Sequence, residues 1–182
     1  MDNITKTGIE GVFLIKRPIF PDDRGSFQEV VRLPDLEKEV DHKIEIKQIN
    51  KSVNKKGVLR GLHIAPWGKL VHCYFGNVFQ VVVDVKKKSP TFGNVFTCIL
   101  GEDNSAAVWV PPFCANGFCV SESEVAVYSY FVTEIYELGK EVGLAWNDPE
   151  IMGKINWPLK SPTVSQKDQA GIAFKDLPDF NL

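Results

Sequence analysis

The sequence LVHCYFGNVFQVVVDV, which runs from Leu70 to Val85, is typical of β-structure. Two apolar runs, 70–75 and 78–85, flank the pair Gly76-Asn77. Glycine and asparagine adopt the positive φ angles of two-residue turns more readily than other residues do. The stretch therefore predicts two strands joined as a hairpin.

Further short strands, separated by turn residues, are expected along the rest of the chain. The run from Asp22 to Gly25 favours a tight turn, and 34–40, with an early proline followed by acidic residues, favours a short helix. Many short strands with little helix predict an all-β antiparallel sandwich or barrel, which can hold a small ligand inside. The other strands are predicted over 11–15, 27–31, 44–50, 95–100, 106–110, 124–133 and 143–146.

The composition fits one globular domain, expected over residues 1–182. Hydrophobic residues make up 44% of the chain and the net charge is −2, so no general basic field would attract nucleic acid or a membrane surface. No apolar run approaches the roughly 18 residues of a transmembrane helix. Because the N-terminal residues also lack the pattern of a secretion signal, a cytoplasmic location is expected. The four cysteines show no CxxC spacing, which favours buried free thiols.

Three ionisable residues interrupt the apolar sequence before Leu70. Arg60 and His63 lie in GVLRGLH, residues 57–63, and Lys69 follows six residues after His63. Histidine can move a proton, lysine can stabilise negative charge and arginine can hold an anion. The run is interpreted either as the wall of a ligand pocket or as an edge strand with mixed surface charge.

The spacing of Arg60 and His63 predicts an irregular strand. Residues three apart point to opposite faces of a regular strand. A bulge at the intervening Gly61 would turn one side chain to the other face. We therefore expect a bulge at Gly61 if Arg60 and His63 share a pocket.

Two other predicted strands carry polar residues that have two interpretations each. Gln48 and Asn50 end a row of alternate residues that begins with Ile44, so this strand either enters a polar cavity or frays into solvent. Tyr128 and Tyr130 share one face of their strand. Such tyrosines either pack in the core with a satisfied hydroxyl or face a cavity, where a phenol can transfer a proton.

A catalytic metal is not expected. The histidines are His42, His63 and His72, and they form no His-x-His pair. The chain also has no GxGxxG, phosphate-loop or GxSxG motif, so hydride transfer, phosphoryl transfer and serine hydrolysis lack support.

Motifs along nearly the whole chain match one known family in colinear order. They include DDRGSFQE at 22–29, KGVLRGLH at 56–63 and SQKD at 165–168. The other matching segments are 48–52, 69–71, 83–85, 89–93, 109–111, 130–136, 146–149 and 155–158. With these motifs the chain resembles the dTDP-4-dehydrorhamnose 3,5-epimerases, which are metal-free cupin-fold enzymes.

The resemblance implies a cupin-type double-sheet jelly roll with a few short helices and no cofactor. It implies an isomerase that inverts carbon 3 and carbon 5 of a nucleotide-linked 4-keto-6-deoxy sugar, by removing a proton to form an enolate and returning one to the opposite face. It also implies a homodimer, in which an N-terminal strand joins the neighbour's sheet and Arg24 or Phe27 completes the neighbour's site. The product would enter a deoxysugar pathway for a polysaccharide or a glycosylated metabolite.

Site residues follow from the resemblance position by position. His63 matches the catalytic base and Asp168 the carboxylate that pairs with it. Lys69 matches a lysine near the keto oxygen, and Tyr130 matches an acid on the opposite side of the sugar. Substrate-binding residues are expected at Arg24, Phe27, Glu29, Gln48, Asn50, Arg60, Asn116 and Tyr136.

Two departures from the family pattern concern specificity. Asn116 stands where the family usually has a histidine, and His72 stands where an arginine is common. Asparagine keeps hydrogen bonding but does not titrate near neutral pH. Three alternatives therefore stay open: an epimerase acting at carbon 3 only, a 3,4-ketoisomerase, and a cupin that binds a nucleotide sugar without turning it over.

Overall fold

The computed structural model describes residues 3–102 and 104–180. Over these residues the chain forms thirteen strands, three short α-helices and one 3₁₀ turn. The strands are β1 Asn3–Lys6, β2 Phe13–Lys16, β3 Ile19–Asp22, β4 Gly25–Gln28, β5 Gln48–Lys55, β6 Leu59–Ile64, β7 Lys69–Phe75, β8 Asn77–Asp84, β9 Val95–Gly101, β10 Ala106–Val110, β11 Cys114–Cys119, β12 Val125–Val132 and β13 Val142–Gly143. The helices are α1 Leu33–Val40, α2 Pro149–Ile155 and α3 Gln166–Gln169, and the 3₁₀ turn covers Phe174–Asp176.

Two sheets make up most of the molecule. The first has the strand order β1-β2-β10-β7-β12-β5 and the second β13-β6-β11-β8-β9, while β3 and β4 form a separate hairpin. Neighbouring strands in these sheets are antiparallel. The arrangement confirms the all-β, double-sheet jelly roll with a few short helices that the sequence predicted.

The inner faces of the two sheets pack on each other through apolar side chains. Val71 of β7, Val82 of β8 and Val108 of β10 are fully buried there. Phe118 of β11 stacks on Tyr128 of β12 with ring centroids 4.1 Å apart. Burying such side chains contributes roughly 1.5–3 kcal/mol each. Towards one end, the same inner faces become polar and enclose a cavity.

A helix covers the outer face of each sheet. On the first sheet, Leu36 of α1 packs with Leu70 and Trp109. On the second sheet, Ile151 of α2 packs with Leu62. These helices bury part of the outer face of each sheet, whereas Ile49 and Val53 of β5 and Ile99 of β9 stay exposed. No helix in the described part of the chain is long and apolar enough to span a membrane.

Local sequence explains where these two helices begin and end. Pro34 lies in the first turn of α1, and the helix ends where Asp41 adopts a left-handed φ of 58°. Asp148 caps α2 because its side chain accepts a hydrogen bond from the backbone N–H of Glu150 at 2.9 Å. The sequence predicted α1 to within one residue, but it did not predict α2 or α3.

The hairpin predicted at Gly76-Asn77 is wrong, although both strands are present. β7 belongs to the first sheet and β8 to the second, so the turn is a corner between sheets. Gly76 has a φ of 64°, and a Cβ at this position would collide with the carbonyl oxygen of Val125. Close approach of another segment explains this glycine, rather than a two-residue hairpin.

Other strand boundaries also differ from the prediction. β5 starts at Gln48, whereas Ile44 packs beside α1 on the outer face of the first sheet. β4 ends at Gln28, and β13 covers only 142–143. β11 was not predicted, because its sequence CANGFC contains the asparagine-glycine pair that is typical of turns. Pairing with β6 and β8 on both sides keeps this segment extended.

Candidate active site

A cavity of about 340 Å³ opens between the two sheets, a size typical of small-molecule sites. Strands β5, β7 and β12 of the first sheet line it on one side, and β6 and β11 of the second sheet line it on the other. The predicted site residues that it brings together are Gln48, Asn50, Arg60, His63, Lys69, Asn116, Tyr130 and Tyr136.

A bulge in β6 brings Arg60 and His63 to the same cavity. His63 lies opposite Asn116 of β11 and Arg60 lies opposite Phe118, so three steps along β6 correspond to two along β11. Gly61, between them, has a φ of 131°, and the backbone of β11 leaves no room for a Cβ at this position. The irregularity predicted at Gly61 is confirmed. The extra residue turns one side chain to the other face of the strand.

His63 is held from behind by a carboxylate. Its Nε2 lies 2.7 Å from Oδ1 of Asp168. Because an ionised carboxylate only accepts hydrogen bonds, Nε2 carries a proton, so in the neutral ring Nδ1 holds the lone pair. Burial alone would raise the pKa of Asp168, but the bond and charge of His63 and the N–H of Gly61 hold that pKa below its ordinary value. Ser165 caps α3 and accepts from the N–H of Asp168 at 3.1 Å, which positions this carboxylate.

Tyr130 faces the cavity from the opposite sheet. It lies on β12 of the first sheet, whereas His63 lies on β6 of the second, and both side chains line the cavity. Burial and the charge of Glu141 raise the pKa of Tyr130, although Arg60 and Lys167 act in the opposite direction. The phenol is therefore protonated near neutral pH.

The ammonium of Lys69 is buried in the wall of the cavity. Its Nζ lies 3.4 Å from Oε1 of Glu141, whose Oε2 lies 2.6 Å from Nζ of Lys167. Burial lowers the pKa of Lys69, and the charge of Glu141 opposes this effect. Lys69 can therefore stabilise a negative charge that develops in the cavity.

Asn116 belongs to a buried chain of hydrogen bonds. Tyr128 donates through Oη to Oε1 of Gln80 at 2.8 Å, and Nε2 of Gln80 donates to Oδ1 of Asn116 at 2.6 Å and to the carbonyl oxygen of Val81 at 3.1 Å. Since a backbone carbonyl only accepts, the contact with Val81 fixes the orientation of the Gln80 amide, which in turn fixes that of Asn116. The oxygen of Asn116 is therefore occupied, and the Asn116 side chain also interacts with the hydroxyl of Tyr128.

Polar side chains at the mouth of the cavity hold one another in place. The Nε–H of Arg60 donates to Oδ1 of Asn54 at 2.6 Å. Gln48 donates to Oδ1 of Asn50 at 2.7 Å and accepts from the backbone N–H of Tyr136 at 2.9 Å. Gln48 and Asn50 therefore enter a polar cavity, as in the first of their two interpretations.

Comparison with known proteins agrees with this geometry. The family model of dTDP-4-dehydrorhamnose 3,5-epimerase matches residues 6–176. The chain belongs to this family. A dTDP-4-dehydrorhamnose 3,5-epimerase of Shigella flexneri is 40% identical over 182 residues, which cover 98% of this chain and 99% of that protein. The protein is therefore an epimerase, which is a kind of isomerase.

Solved structures of epimerases have the same fold. The dTDP-6-deoxy-D-glucose-3,5-epimerase of Legionella pneumophila, in complex with dTDP-4-keto-L-rhamnose, gives a TM-score of 0.90 at 35% identity and covers 98% of this chain and 95% of that one. NovW, a 4-keto-6-deoxy sugar epimerase from Streptomyces spheroides, gives a TM-score of 0.91 at 30% identity and covers 97% and 89%.

Three predicted site residues of this epimerase lie away from the cavity of their own chain. Arg24 and Phe27 are on the hairpin of β3 and β4, and the side chain of Arg24 is 89% exposed. Glu29 also does not line the cavity of its own chain, where it pairs with Arg17 and Arg32 at 2.7 Å each, so its role in substrate binding stays a prediction. These ion pairs hold it between the hairpin and α1.

Sequence reasoning missed two residues that contact predicted site residues, Gln80 beside Asn116 and Glu141 beside Lys69. Gln80 had a usable signal, since it alternates with Val78 and Val82 and is thus a polar residue on the core face of a predicted strand. Glu141 lies just before β13, in a segment without periodicity, and only the tertiary structure brings it to Lys69.

The cysteines, all within the described residues, do not line the cavity. Each is a free thiol, and Cys73, Cys114 and Cys119 are buried. Burial raises the pKa of Cys114 to about 12, so its thiolate is not populated near neutral pH. Among residues 3–102 and 104–180, no group of three or more His, Cys, Asp or Glu side chains could hold a metal ion.

Proposed function

We propose that the protein inverts carbon 3 and carbon 5 of a dTDP-linked 4-keto-6-deoxy sugar, with residues 1–182 acting as one epimerase domain. The observation that carries this proposal is a pair of proton-transferring groups on facing sheets. His63, which contacts Asp168, lines the cavity from the second sheet. Tyr130 and the buried ammonium of Lys69 line it from the first sheet. The Legionella relative, solved with dTDP-4-keto-L-rhamnose, supports the substrate class.

The first step removes a proton beside the ketone. A carbonyl at carbon 4 acidifies the C–H bonds of carbons 3 and 5. Nδ1 of His63 takes one of these protons, the C–H electron pair forms the C=C bond of an enolate, and the carbonyl π electrons move onto oxygen. Lys69 stabilises this oxyanion more than it stabilises the neutral ketone, which lowers the barrier. Asp168 stabilises the imidazolium that forms.

The second step returns a proton from the other side. The hydroxyl of Tyr130 gives its proton to the same carbon, the C=C electrons form the new C–H bond, and the carbonyl is restored. Because Tyr130 and His63 belong to facing sheets, the proton returns to the opposite face and the carbon is inverted. Solvent then reprotonates the phenolate and deprotonates the imidazolium. Both steps are proton transfers between protein side chains and the sugar, so they consume no cofactor.

The mouth of the cavity suits the nucleotide diphosphate. The guanidinium of Arg60, fixed through Nε by Asn54, offers the fork that binds phosphate oxygens. We assign Gln48, Asn50 and Tyr136 to nucleotide binding at the same end of the cavity. We expect Nδ2 of Asn116 to donate a hydrogen bond to a sugar oxygen.

Solvent-isotope uptake tests the proposal. In heavy water, the wild type should incorporate deuterium at carbons 3 and 5 of dTDP-4-keto-6-deoxyglucose. His63→Ala should bind dTDP with an affinity within about threefold of wild type but incorporate none. If the wild type exchanges no deuterium with any 4-keto nucleotide sugar, a binding module without catalysis replaces the enzyme.

The same experiment decides between the related reactions. The second candidate is an epimerase that acts at carbon 3 alone. Asn116 favours it, because a hydrogen-bond donor without a titratable proton replaces the family's usual histidine. Deuterium at carbon 3 alone would identify that reaction. A carbonyl that moves to carbon 3 would identify a 3,4-ketoisomerase.

We also propose a homodimer in which the β3–β4 hairpin completes the partner's site. Phe20 and Phe27 are exposed on this hairpin, and clustered exposed apolar residues often mark an interface. Mixed dimers of His63→Ala and Arg24→Ala chains test this, because only they combine an intact His63 with an intact Arg24 from the other chain. Activity that rises after subunit exchange supports the shared site. Mixed dimers without activity contradict it.

The cytoplasmic location and the use of the product in a polysaccharide or a glycosylated metabolite stay predictions. Cell fractionation and analysis of surface polysaccharides after deletion of the gene would test them.

A further inference from the structure

Glu141 is a carboxylate in the cavity wall that the proposed reaction does not use. Its side chain is only 13% exposed, and its two oxygens contact two different lysines. Oε1 lies 3.4 Å from Nζ of Lys69, and Oε2 lies 2.6 Å from Nζ of Lys167. We infer that Glu141 is a positioning residue, which keeps the Lys69 ammonium charged and directed at the keto oxygen. This inference rests on the proposed function, since it assigns that role to Lys69.

Burial makes Lys69 dependent on a countercharge. Its side chain is 6% exposed, and an ammonium removed from water tends to lose its proton unless an anion lies beside it. Burial also raises the pKa of Glu141, but the charges of Lys69 and His63 and the hydrogen bond and charge of Lys167 hold that pKa below its ordinary value. Glu141 is therefore ionised and can act as the countercharge.

Lys167 links this ion pair to the catalytic base. It is 51% exposed and makes the shorter of the two contacts with Glu141. It also directly precedes Asp168 in α3, the residue that orients His63. Two adjacent residues of α3 therefore serve both groups. Asp168 is the carboxylate that contacts His63, and Lys167 holds the carboxylate of Glu141 that contacts Lys69.

The other groups around Lys69 cannot replace Glu141. The charged and titratable residues that face Lys69 across the cavity or from neighbouring elements are Glu141, Lys167, His63, Arg60, Tyr128, Tyr130 and Tyr136. Of these seven, Glu141 is the one that is an anion at neutral pH, while the others are cationic or neutral. Removing its charge leaves Lys69 buried among cations, and the pKa of Lys69 must then fall.

Kinetics of three variants test the inference. Glu141→Gln keeps the size of the side chain and removes its charge. We expect kcat to fall roughly tenfold or more with KM within about threefold of wild type. The alkaline limb of kcat should move to lower pH by about one pH unit. Glu141→Asp, which keeps the charge, should recover part of the loss. Lys167→Met should move the alkaline limb to higher pH, because Glu141 then serves Lys69 alone.

The matched control is Glu137→Gln. Glu137 lies in the same loop as Glu141, but it is exposed and pairs with Lys140. The control makes the same chemical change outside the cavity and should keep wild-type kinetics. A pH profile of Glu141→Gln that coincides with that of Glu137→Gln would overturn the inference.

A double-mutant cycle shows whether Glu141 acts through Lys69. In a Lys69→Met background, Glu141→Gln should change the residual kcat by less than about twofold. A further tenfold loss in this background would contradict the inference, because Glu141 would then act on Tyr130 or on the substrate. The charges of Glu141 and Lys167 also act on Tyr130, so the pKa of Lys69 itself must be measured. Lys167→Met alters an exposed side chain, and in this variant the pKa of Lys69 should rise, which gives a readout even if Glu141→Gln does not fold.

An NMR titration separates this inference from the proposed function. Protein labelled with ¹³Cε-lysine reports the pKa of Lys69, whose signal is assigned by its loss in Lys69→Met. The pKa should be lower in Glu141→Gln than in wild type, and an equal pKa would overturn the inference. A wild type that exchanges no deuterium would refute the proposed function, while the titration still decides whether Glu141 keeps Lys69 charged.

Discussion

His72 makes the stability of the protein depend on pH in a range where carboxylates hardly titrate. The ring lies on β7 and faces away from the cavity, is 4% exposed and packs against Tyr74 with ring centroids 4.4 Å apart. Neither of its ring nitrogens makes a hydrogen bond within the described residues. Because burial disfavours the charged imidazolium, the pKa of His72 is lowered from 6.5 to about 4.

The direction of the effect follows from which state binds the proton. Between pH 6.5 and about pH 4 the unfolded chain is protonated at His72 and the folded chain is not. The free energy of unfolding therefore decreases as the pH falls through this window and levels off below it. The pKa difference corresponds to about 3 kcal/mol in total, of which about 2 kcal/mol is lost between pH 7 and pH 5. Carboxylates, with ordinary pKa values near 4, contribute little above about pH 5.

Urea unfolding at pH 7, 6 and 5 measures this effect. Wild type and His72→Leu are compared at one protein concentration by tryptophan fluorescence, because leucine has a similar volume and no proton to bind. On going from pH 7 to pH 5, the wild type should lose about 2 kcal/mol more than His72→Leu. Parallel pH dependences of the two proteins would refute the reasoning, since the buried ring would then be protonated in the folded state without a penalty.

Three further substitutions test the site and the corner between the sheets. Asp168→Asn should lower deuterium uptake by about a hundredfold or more, because the amide no longer stabilises the imidazolium of His63. Titration calorimetry should still show dTDP binding, and undiminished deuterium uptake would remove Asp168 from the mechanism. Gln80→Leu removes the hydrogen bond that orients the Asn116 amide, so KM should rise several-fold and the free energy of unfolding should fall by about 1–3 kcal/mol. An unchanged KM would mean that Gln80 does not need to orient Asn116. Gly76→Ala places a Cβ against a carbonyl oxygen of β12 at positive φ and should destabilise the protein by about 2 kcal/mol or more in urea; wild-type stability would show that the corner relaxes.

Local sequence patterns predicted the kinds of element well. The early proline at Pro34 marked α1, and the alternation that ends at Gln48 and Asn50 left a polar cavity as one of two interpretations, which the structure supports. The spacing of Arg60 and His63 around Gly61 predicted a bulge that the structure contains. These features depend on backbone geometry within a few residues, so a single stretch of sequence is enough to reveal them.

Pairing between distant strands was less predictable. The Gly76 turn is locally indistinguishable from a hairpin, and only the packing of β12 against it shows that β7 and β8 belong to different sheets. The asparagine-glycine pair of β11 looks like a turn until β6 and β8 bind it on both sides. In both cases tertiary contacts outweigh the preference of a few residues for a turn. The free energy of that local preference is smaller than the free energy of pairing or packing a whole strand.

The candidate site also combines residues that the sequence could predict with contacts that it could not. His63 and Lys69 drew attention because titratable side chains are rare in an apolar run, and family motifs added Tyr130 and Asp168. The ion pair of Lys69 with Glu141 joins residues that are 72 positions apart, and no local periodicity relates them.

By itself the sequence determined the all-β class, the family and eight of the residues that line the cavity, because alternation, turn residues and motif spacing are properties of the chain. Only the tertiary structure decided which strands are neighbours, which way the Asn116 amide points and which carboxylate accompanies Lys69. Charges and hydrogen bonds act over a few ångströms in space, and distance along the chain does not reveal distance in space until the sheets have packed.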